Sequence, residues 1–206
     1  MREPTVRVRN LHRNHLKTRL VIFGVLALLL IVGSYFSDYL CPYDPYLQDL
    51  ANAKAPCSFA HPFGTDRYGR DMLSRVIVGS KTSIYSTLLL VAFITVFGTV
   101  VGVFCAWSGK WVDTVLMRIS DMFLAFPGLV FALAVAAVLG GGVQNAIIAL
   151  AAISWPKYAR IARSQTLAQK EAVYLRAARL SGSGTWKLIF KHILPNIFGP
   201  ILVTAM

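Results

Sequence analysis

Residues 82–109 read TSIYSTLLLVAFITVFGTVVGVFCAWSG, 28 positions between Lys81 and Lys110 without an Asp, Glu, Lys or Arg. At 1.5 Å per residue such a run exceeds, as one helix, the roughly 30 Å hydrocarbon thickness of a bilayer. Charged side chains at that depth cost about 2.5–3.5 kcal/mol each. The run therefore predicts a long, tilted transmembrane helix over about Ser83–Trp107. On its N-terminal side, Leu20–Ser37 is a second uncharged run and predicts a span over about Leu20–Phe36. On its C-terminal side, Met122–Pro156 is 35 residues long, too long to cross once. It contains Gly140-Gly141-Gly142, a strong local breaker. It is divided there into spans of about Leu116–Leu139 and Val143–Ala162. A last run, Ile197–Met206, has ten residues, too few to cross. The expected fold class is all-α: a polytopic membrane helical bundle, four complete spans plus the start of a fifth, in a fragment of a longer chain.

Composition agrees. The 206 residues are 56% hydrophobic and 15% charged, against about 45–50% and 25% for a soluble domain. Disorder needs the opposite balance, and three cysteines are too few for a disulfide scaffold. The net charge of +12 would by itself suggest nucleic acid, but its distribution argues otherwise. Segment 1–19 carries Arg2, Arg7, Arg9, Arg13, Lys17 and Arg19 against Glu3, and 157–191 carries eight basic residues against Glu171. Loop 38–81 and segment 108–121 are neutral. Lys and Arg concentrate on the cytoplasmic side of membrane proteins. The expected organisation is a cytoplasmic N-terminal segment (1–19), a first span (20–37), an extracytoplasmic loop (38–81) and a transmembrane core (82–206), truncated at its C-terminus, with a cytoplasmic loop at 163–195. The basic surplus then sets orientation and offers a surface to membrane lipid or a protein partner. No nucleic-acid-binding motif is present, and no nucleic-acid partner is expected.

Both long loops carry distinctive strings. The outer one holds Cys41 and Cys57, which could pair in an oxidising compartment or stand as two free thiols. It also contains HPFGTDRYGRDMLSR, residues 61–75, whose Asp66, Arg67, Arg70, Asp71 and Arg75 read as a salt-bridged turn returning the loop to its helix. The inner loop is free of Gly and Pro from Lys157 to Leu180 and rich in helix formers. It predicts a continuation of the fourth span and then a short helix, stopped by Gly182 and Gly184. Trp186–Lys191 restarts an amphipathic segment, and Pro195 sits where the next span would begin. The Arg- and Ala-rich short helix suits either docking in another protein's groove, with Arg176 and Arg179 as donors, or lying on anionic lipid. Pro127 and Pro156 can kink their spans, and Gly98 with Gly102 permits close helix contact. Cys105, in an apolar span, reads as small core filler. No G-x-x-x-x-G-K-[ST] loop and no H-E-x-x-H pair occurs, and His12, His15, His61 and His192 are scattered. No catalytic residue and no metal site is expected. A membrane-embedded enzyme would need intramembrane His, Asp or Glu clusters, which the predicted spans lack.

These strings together make the chain resemble inner-membrane permease subunits of bacterial ABC importers. The likeness is to the dipeptide, oligopeptide and nickel branch of the binding-protein-dependent transport permeases, and to the second permease of the pair. It runs from about residue 12 to the end. Residues 61–75 carry part of it, with Gly64, Thr65, Asp66, Gly69, Arg70, Asp71, Ser74 and Arg75 as the outer-loop motif. Asp121-Met-Phe-Leu-Ala-Phe-Pro127 carries more. The most specific part is the inner loop. The family's coupling motif is Glu-Ala-Ala, three residues, Gly, nine residues, Ile, one residue, Leu-Pro. Ala177, Ala178, Gly182, Leu194 and Pro195 match it, while Arg176 stands for Glu and His192 for Ile. The resemblance implies a type I-like permease with six spans when complete, in the inner membrane, forming half of a pore for peptides or nickel. Implied partners are a second permease, cytosolic ATPases that bind ATP and Mg, and an extracytoplasmic substrate-binding protein; the chain itself would hold no cofactor. The ATPase-coupling loop would comprise Arg176, Ala177, Ala178, Arg179, Gly182, Leu194 and Pro195. A non-transporting multi-pass anchor or assembly protein is the alternative.

Overall fold

The computed structural model describes residues 5–206, with side chains from residue 18 onward. The side chains of the basic segment 1–17, His12 and His15 among them, lie outside the described residues. The chain divides into two compact units, Met1–Tyr85 and Ser86–Met206. The described residues are helical with irregular connections, and their only β feature is an isolated bridge between Thr65 and Asp71.

In the first unit, α1 (Thr5–Tyr35) and the single turn α2 (Ser37–Leu40) precede the long loop. The window Thr18–Tyr35 is only 6% buried. An apolar helix with so little protein against it is at home only in an apolar surrounding. The loop ends at α3 (Met72–Ser108), which starts ten residues ahead of the uncharged run. Lys81 in α3 pairs with Asp38 in α2 at 2.5 Å, and Tyr85 donates to the Ile31 carbonyl.

In the second unit, α6 (Val143–Glu171) is the most buried helix, with Ala149, Trp155, Tyr158, Ala159 and Ala162 turned inward. It packs on the second half of α3. A Cβ on Gly98 would lie 2.6 Å from Tyr158 Cβ and 2.8 Å from the Trp155 carbonyl oxygen; one on Gly102 would lie 2.8 Å from Ala162 Cβ. The G-x-x-x-G spacing thus lets two backbones touch where any side chain would hold them apart. At the far end of this packing Val103, Ala162, Leu175, Leu188, Ile193 and Ile197 form one buried cluster.

Three details differ from the sequence-based expectation. The stretch expected to hold a span over 116–139 is broken. Helices α4 (Lys110–Ala125) and α5 (Gly128–Val138) meet at 90° across Phe126-Pro127. Proline disfavours helical backbone in the preceding residue, and Phe126 is extended, with ψ of 142°. The last helix, α8 (Thr185–Ala205), starts well before Pro195, contains a π turn over Ile189–Ile193, and is itself long and apolar enough to cross a membrane. Pro195 has no N–H and crowds the preceding turn, which is where the wider π spacing occurs. Finally, α6 runs through Pro156 without a break, yet its polar and charged residues keep it out of the helices that length and composition mark as spans. Those are Thr18–Tyr35, Met72–Ser108 and Thr185–Ala205, with α4 and α5 a fourth if the bent pair crosses as one.

Candidate functional site

The outer-loop motif forms one network. Asp66 is its hub. Oδ1 accepts from the backbone N–H of Tyr68 at 2.8 Å and of Arg70 at 3.1 Å. Oδ2 accepts from Arg70 Nε at 2.8 Å, Arg70 Nη2 at 2.7 Å and Arg75 Nη1 at 2.5 Å. Burial pushes the Asp66 carboxyl up, but the hydrogen bonds from Arg70 and Tyr68 outweigh it and hold the group at about 2. Gly69 closes the turn in the left-handed region (φ 74°), with its N–H on the Asp66 carbonyl. A Cβ there would overlap the Asp49 carbonyl, so glycine is required on two counts. Gly64 (φ 68°) is similarly crowded, by the Ala55 carbonyl. Thr65 accepts from the Ala55 N–H and donates to the Asn52 carbonyl.

Asp71 does the second half of the work. It precedes α3 and caps it, Oδ2 accepting from the Ser74 N–H at 2.8 Å and from Ser74 Oγ at 2.7 Å. Its other oxygen meets His61 Nδ1 at 2.9 Å. Burial raises this carboxyl, and the Ser74 and His61 bonds bring it below its usual range. Ser74 Oγ in turn accepts from the Tyr43 N–H, and the Ser74 carbonyl accepts from Cys41 Sγ at 3.6 Å. Ser, Asp and His thus meet, but both serine and histidine address the aspartate. A nucleophilic triad needs histidine bonded to the serine, so this cluster is architectural. Cys41 and Cys57 are both free thiols; the disulfide entertained from the sequence is not formed here. Cys41 points to Ser74, and burial pushes its thiol up.

The inner loop is built differently. On α6, Arg160 pairs with Asp121 and Arg163 with Asp113, the latter through two bonds. Both aspartates lie on α4, so these pairs clip α4 along α6. Helix α7 (Val173–Leu180) follows a one-residue break at Ala172. Its end is a Schellman turn: Ser183 N–H bonds the Ala178 carbonyl, Gly182 N–H bonds the Arg179 carbonyl, and Gly182 takes φ 79°. Leu175 is fully buried in the shared cluster and Ala178 packs against it. The opposite face carries Val173 (83% exposed), Arg176, Ala177 and Leu180 (90% exposed) at helical spacing. Exposed apolar side chains beside the exposed Arg176 are expected of a surface that meets a partner.

The coupling residues named from the sequence do not all share that face. Arg176 and Ala177 do. Arg179 instead lies over the Trp107 ring, 4.8 Å from its centroid. Leu194 packs on the cluster that holds Leu175, and Pro195 is the next residue of α8. Tyr174 ties α7 to α8 by accepting from Asn196 at 2.9 Å. Trp107, Lys170 and Tyr174 were not singled out beforehand. Only Trp107's place at the end of an uncharged run hinted at a boundary role.

Two cavities flank α6. One, about 490 Å³, is lined by Leu89, Phe93, Phe97, Phe123, Ile147 and Trp155 among others, with Phe97 and Phe123 edge-on to Trp155. The other, about 370 Å³, lies at the α4–α5 break and includes Ser154, Lys157 and Tyr158. Among the described residues no three His, Cys, Asp or Glu lie close enough to hold a metal ion.

Comparison with known proteins follows the same geography. The family profile for the binding-protein-dependent transport system inner membrane component matches residues 98–206, from the α3–α6 contact onward. The chain is 40% identical over 185 residues to the probable D,D-dipeptide transport system permease protein of Escherichia coli, covering 90% of this chain and 62% of the relative. It is 37% identical to the glutathione transport system permease protein of Pectobacterium atrosepticum (89% and 61%). It is 34% identical to the dipeptide transport system permease protein of Alkalihalophilus pseudofirmus (92% and 62%). The chain thus spans about three-fifths of the length of these relatives. With more than half of its residues under the profile, the chain belongs to the family of binding-protein-dependent transport system inner membrane components.

Proposed function

We propose that the chain is a permease subunit of an ATP-driven importer of short peptides. On this reading it forms one side of the translocation pore with a second permease, receives cargo from an extracytoplasmic substrate-binding protein, and is driven by cytosolic ATPases. Segment 1–19 and the α6–α8 connection face the cytoplasm, as the Lys and Arg surplus favours. The relatives are named for D,D-dipeptide, glutathione and dipeptide transport, which favours peptides over nickel as cargo.

The observation that carries the reading is the two-sided α7. Leu175 anchors it in the core, while Val173, Arg176, Ala177 and Leu180 stand outward. A helix so anchored moves with the spans it packs on, so a partner gripping its outer face shifts the helical bundle as a rigid body. Ala177 gives a partner close backbone approach. The chain supplies no phosphate chemistry; ATP and Mg belong to the ATPase. Arg176, where the coupling motif has Glu, offers five donors to a carboxylate or carbonyl rather than accepting from a cation.

The test is co-purification from the native host. Wild-type chain should bring down a P-loop ATPase, and Ala177→Glu should reduce that at least tenfold with the same amount of chain in the membrane. A wild-type chain that retains no ATPase would sink the coupling role and favour the anchor alternative.

A further inference from the structure

The inner end of α3 has no basic residue in its last turn, although a helix C-terminus, with its unpaired carbonyls, attracts cations. Here the cations come from other helices. Lys170, at the end of α6, donates to the Ala106 carbonyl at 2.6 Å and lies 5.3 Å from the Trp107 ring centroid. Arg179, on α7, sits 4.8 Å from the same centroid. One indole therefore holds two like charges together. Its neighbourhood is otherwise apolar: Trp107 packs on the cluster of Val103, Leu175 and Ile193. Burial, then the nearby Arg179, lowers the Lys170 ammonium below its ordinary range, so the two cations do strain against each other, and the ring face with the Ala106 carbonyl offsets that.

We infer that Trp107 is the positioning residue through which α7 is latched to the end of α3, its ring taking Arg179 from α7 and Lys170 from α6 at one point. The inference rests on the proposed coupling role for its meaning, but not for its geometry. Leu175 fixes α7 by burial, a contact that tolerates sliding. The ring adds a directional second contact one helical turn further on, between Leu175 and Arg179. Two contacts along one helix define its angle, and a partner's push on Arg176 and Ala177 then reaches α3 as rotation rather than being lost in a loose joint.

The experiment measures hydrogen exchange of the α7 amides in the full chain in nanodiscs, beside ATPase association and peptide uptake. Trp107→Leu should speed α7 exchange about tenfold and cut uptake about tenfold, while ATPase association stays within twofold of wild type. Trp107→Phe, which keeps a π face, should restore most of both. Arg179→Gln should act in the same direction, and the double variant should be no worse than the Leu variant alone. Unchanged α7 exchange in both single variants, or losses that multiply in the double, would overturn the latch. Should Trp107→Leu fail to accumulate, the solvent-exposed Arg179→Gln carries the same measurement. Altered exchange without any ATPase association would leave the latch standing and remove the coupling role instead.

Discussion

The outer and inner loops, 38–81 and 157–196 in the sequence-based topology, are both rich in charge, yet they use it in opposite ways. In the outer loop the motif turns in on itself. Asp66 is ringed by Arg70, Arg75 and two backbone N–H groups, and Asp71 by Ser74 and His61. At the root of the inner loop, Arg160 and Arg163 are taken up by Asp121 and Asp113 of α4. Arg176 and the apolar Val173 and Leu180 of α7 are left facing outward. A motif rich in charge is therefore no guide to contact with a partner until its hydrogen bonds are followed. A closed network predicts a stability cost when cut, and an open one predicts a binding cost with little change in stability.

The sharpest test of the closed network is Gly69→Ala. The new Cβ meets left-handed strain of about 1–2 kcal/mol, and it also overlaps the Asp49 carbonyl, which must move. Overpacking adds about 1–3 kcal/mol, so a loss near 3 kcal/mol is expected in detergent-unfolding titrations; a loss under 1 kcal/mol would mean the loop is looser than its hydrogen bonds indicate. Asp71→Ala comes next. It removes the cap of α3 and leaves the Ser74 N–H without its partner, for about 2 kcal/mol. Limited proteolysis should then cut between residues 40 and 70 faster than in wild type, and equal rates would contradict the capping role.

Acid should do by degrees what that substitution does outright. Asp66 titrates near 2 when folded, against 3.8 for the free side chain, and Asp71 is lowered too. A carboxylate depressed on folding contributes stability that is complete above the free value and disappears as pH falls through the folded one. Protease resistance of the outer loop should therefore be flat above pH 4 and decline from there toward pH 2. Arg70→Gln should move that decline to higher pH, and an unmoved profile would show that Arg70 does not hold Asp66.

How much of this was readable beforehand depended on how far each cause lies along the chain. The helices α1 and α3 were legible because absence of charge is a local signal. The end of α7 was legible because Gly182 is two residues beyond it. Asp71 reads from the sequence only as one charge of a salt-bridged turn; its cap on Ser74 and its bond to His61 emerge only with the fold. The 90° turn at Phe126-Pro127 was underestimated, since proline in a span kinks it in one context and ends it in another. The restart at Trp186 was legible, but not its union with the last run into one helix, because Lys187 and Lys191, both exposed, interrupt the apolar stretch. The ties of Arg160 to Asp121 and Arg163 to Asp113 cross 39 and 50 positions, and no periodicity reports a partner at that distance. Trp107 belongs with these: its role exists only once two cations from other helices arrive over its ring.

The mildest substitutions separate the two loops most cleanly. Gly182 is left-handed like Gly69, but a Cβ there would meet nothing within 4 Å. Gly182→Ala should thus cost only the backbone preference, about 1 kcal/mol, and Gly182→Asn less, because asparagine tolerates that region. A much larger loss would reveal packing around the turn that open space denies. Ala177→Glu should change stability by under about 0.5 kcal/mol, because the side chain is exposed and only the backbone carbonyl of Ala177, which the substitution leaves in place, takes part in the C-cap with Ser181. Because the same substitution is expected to detach the ATPase, the pair of measurements isolates binding from folding. If stability and association fell together, α7 would be a structural element like the outer loop, and the contrast between the two would fail.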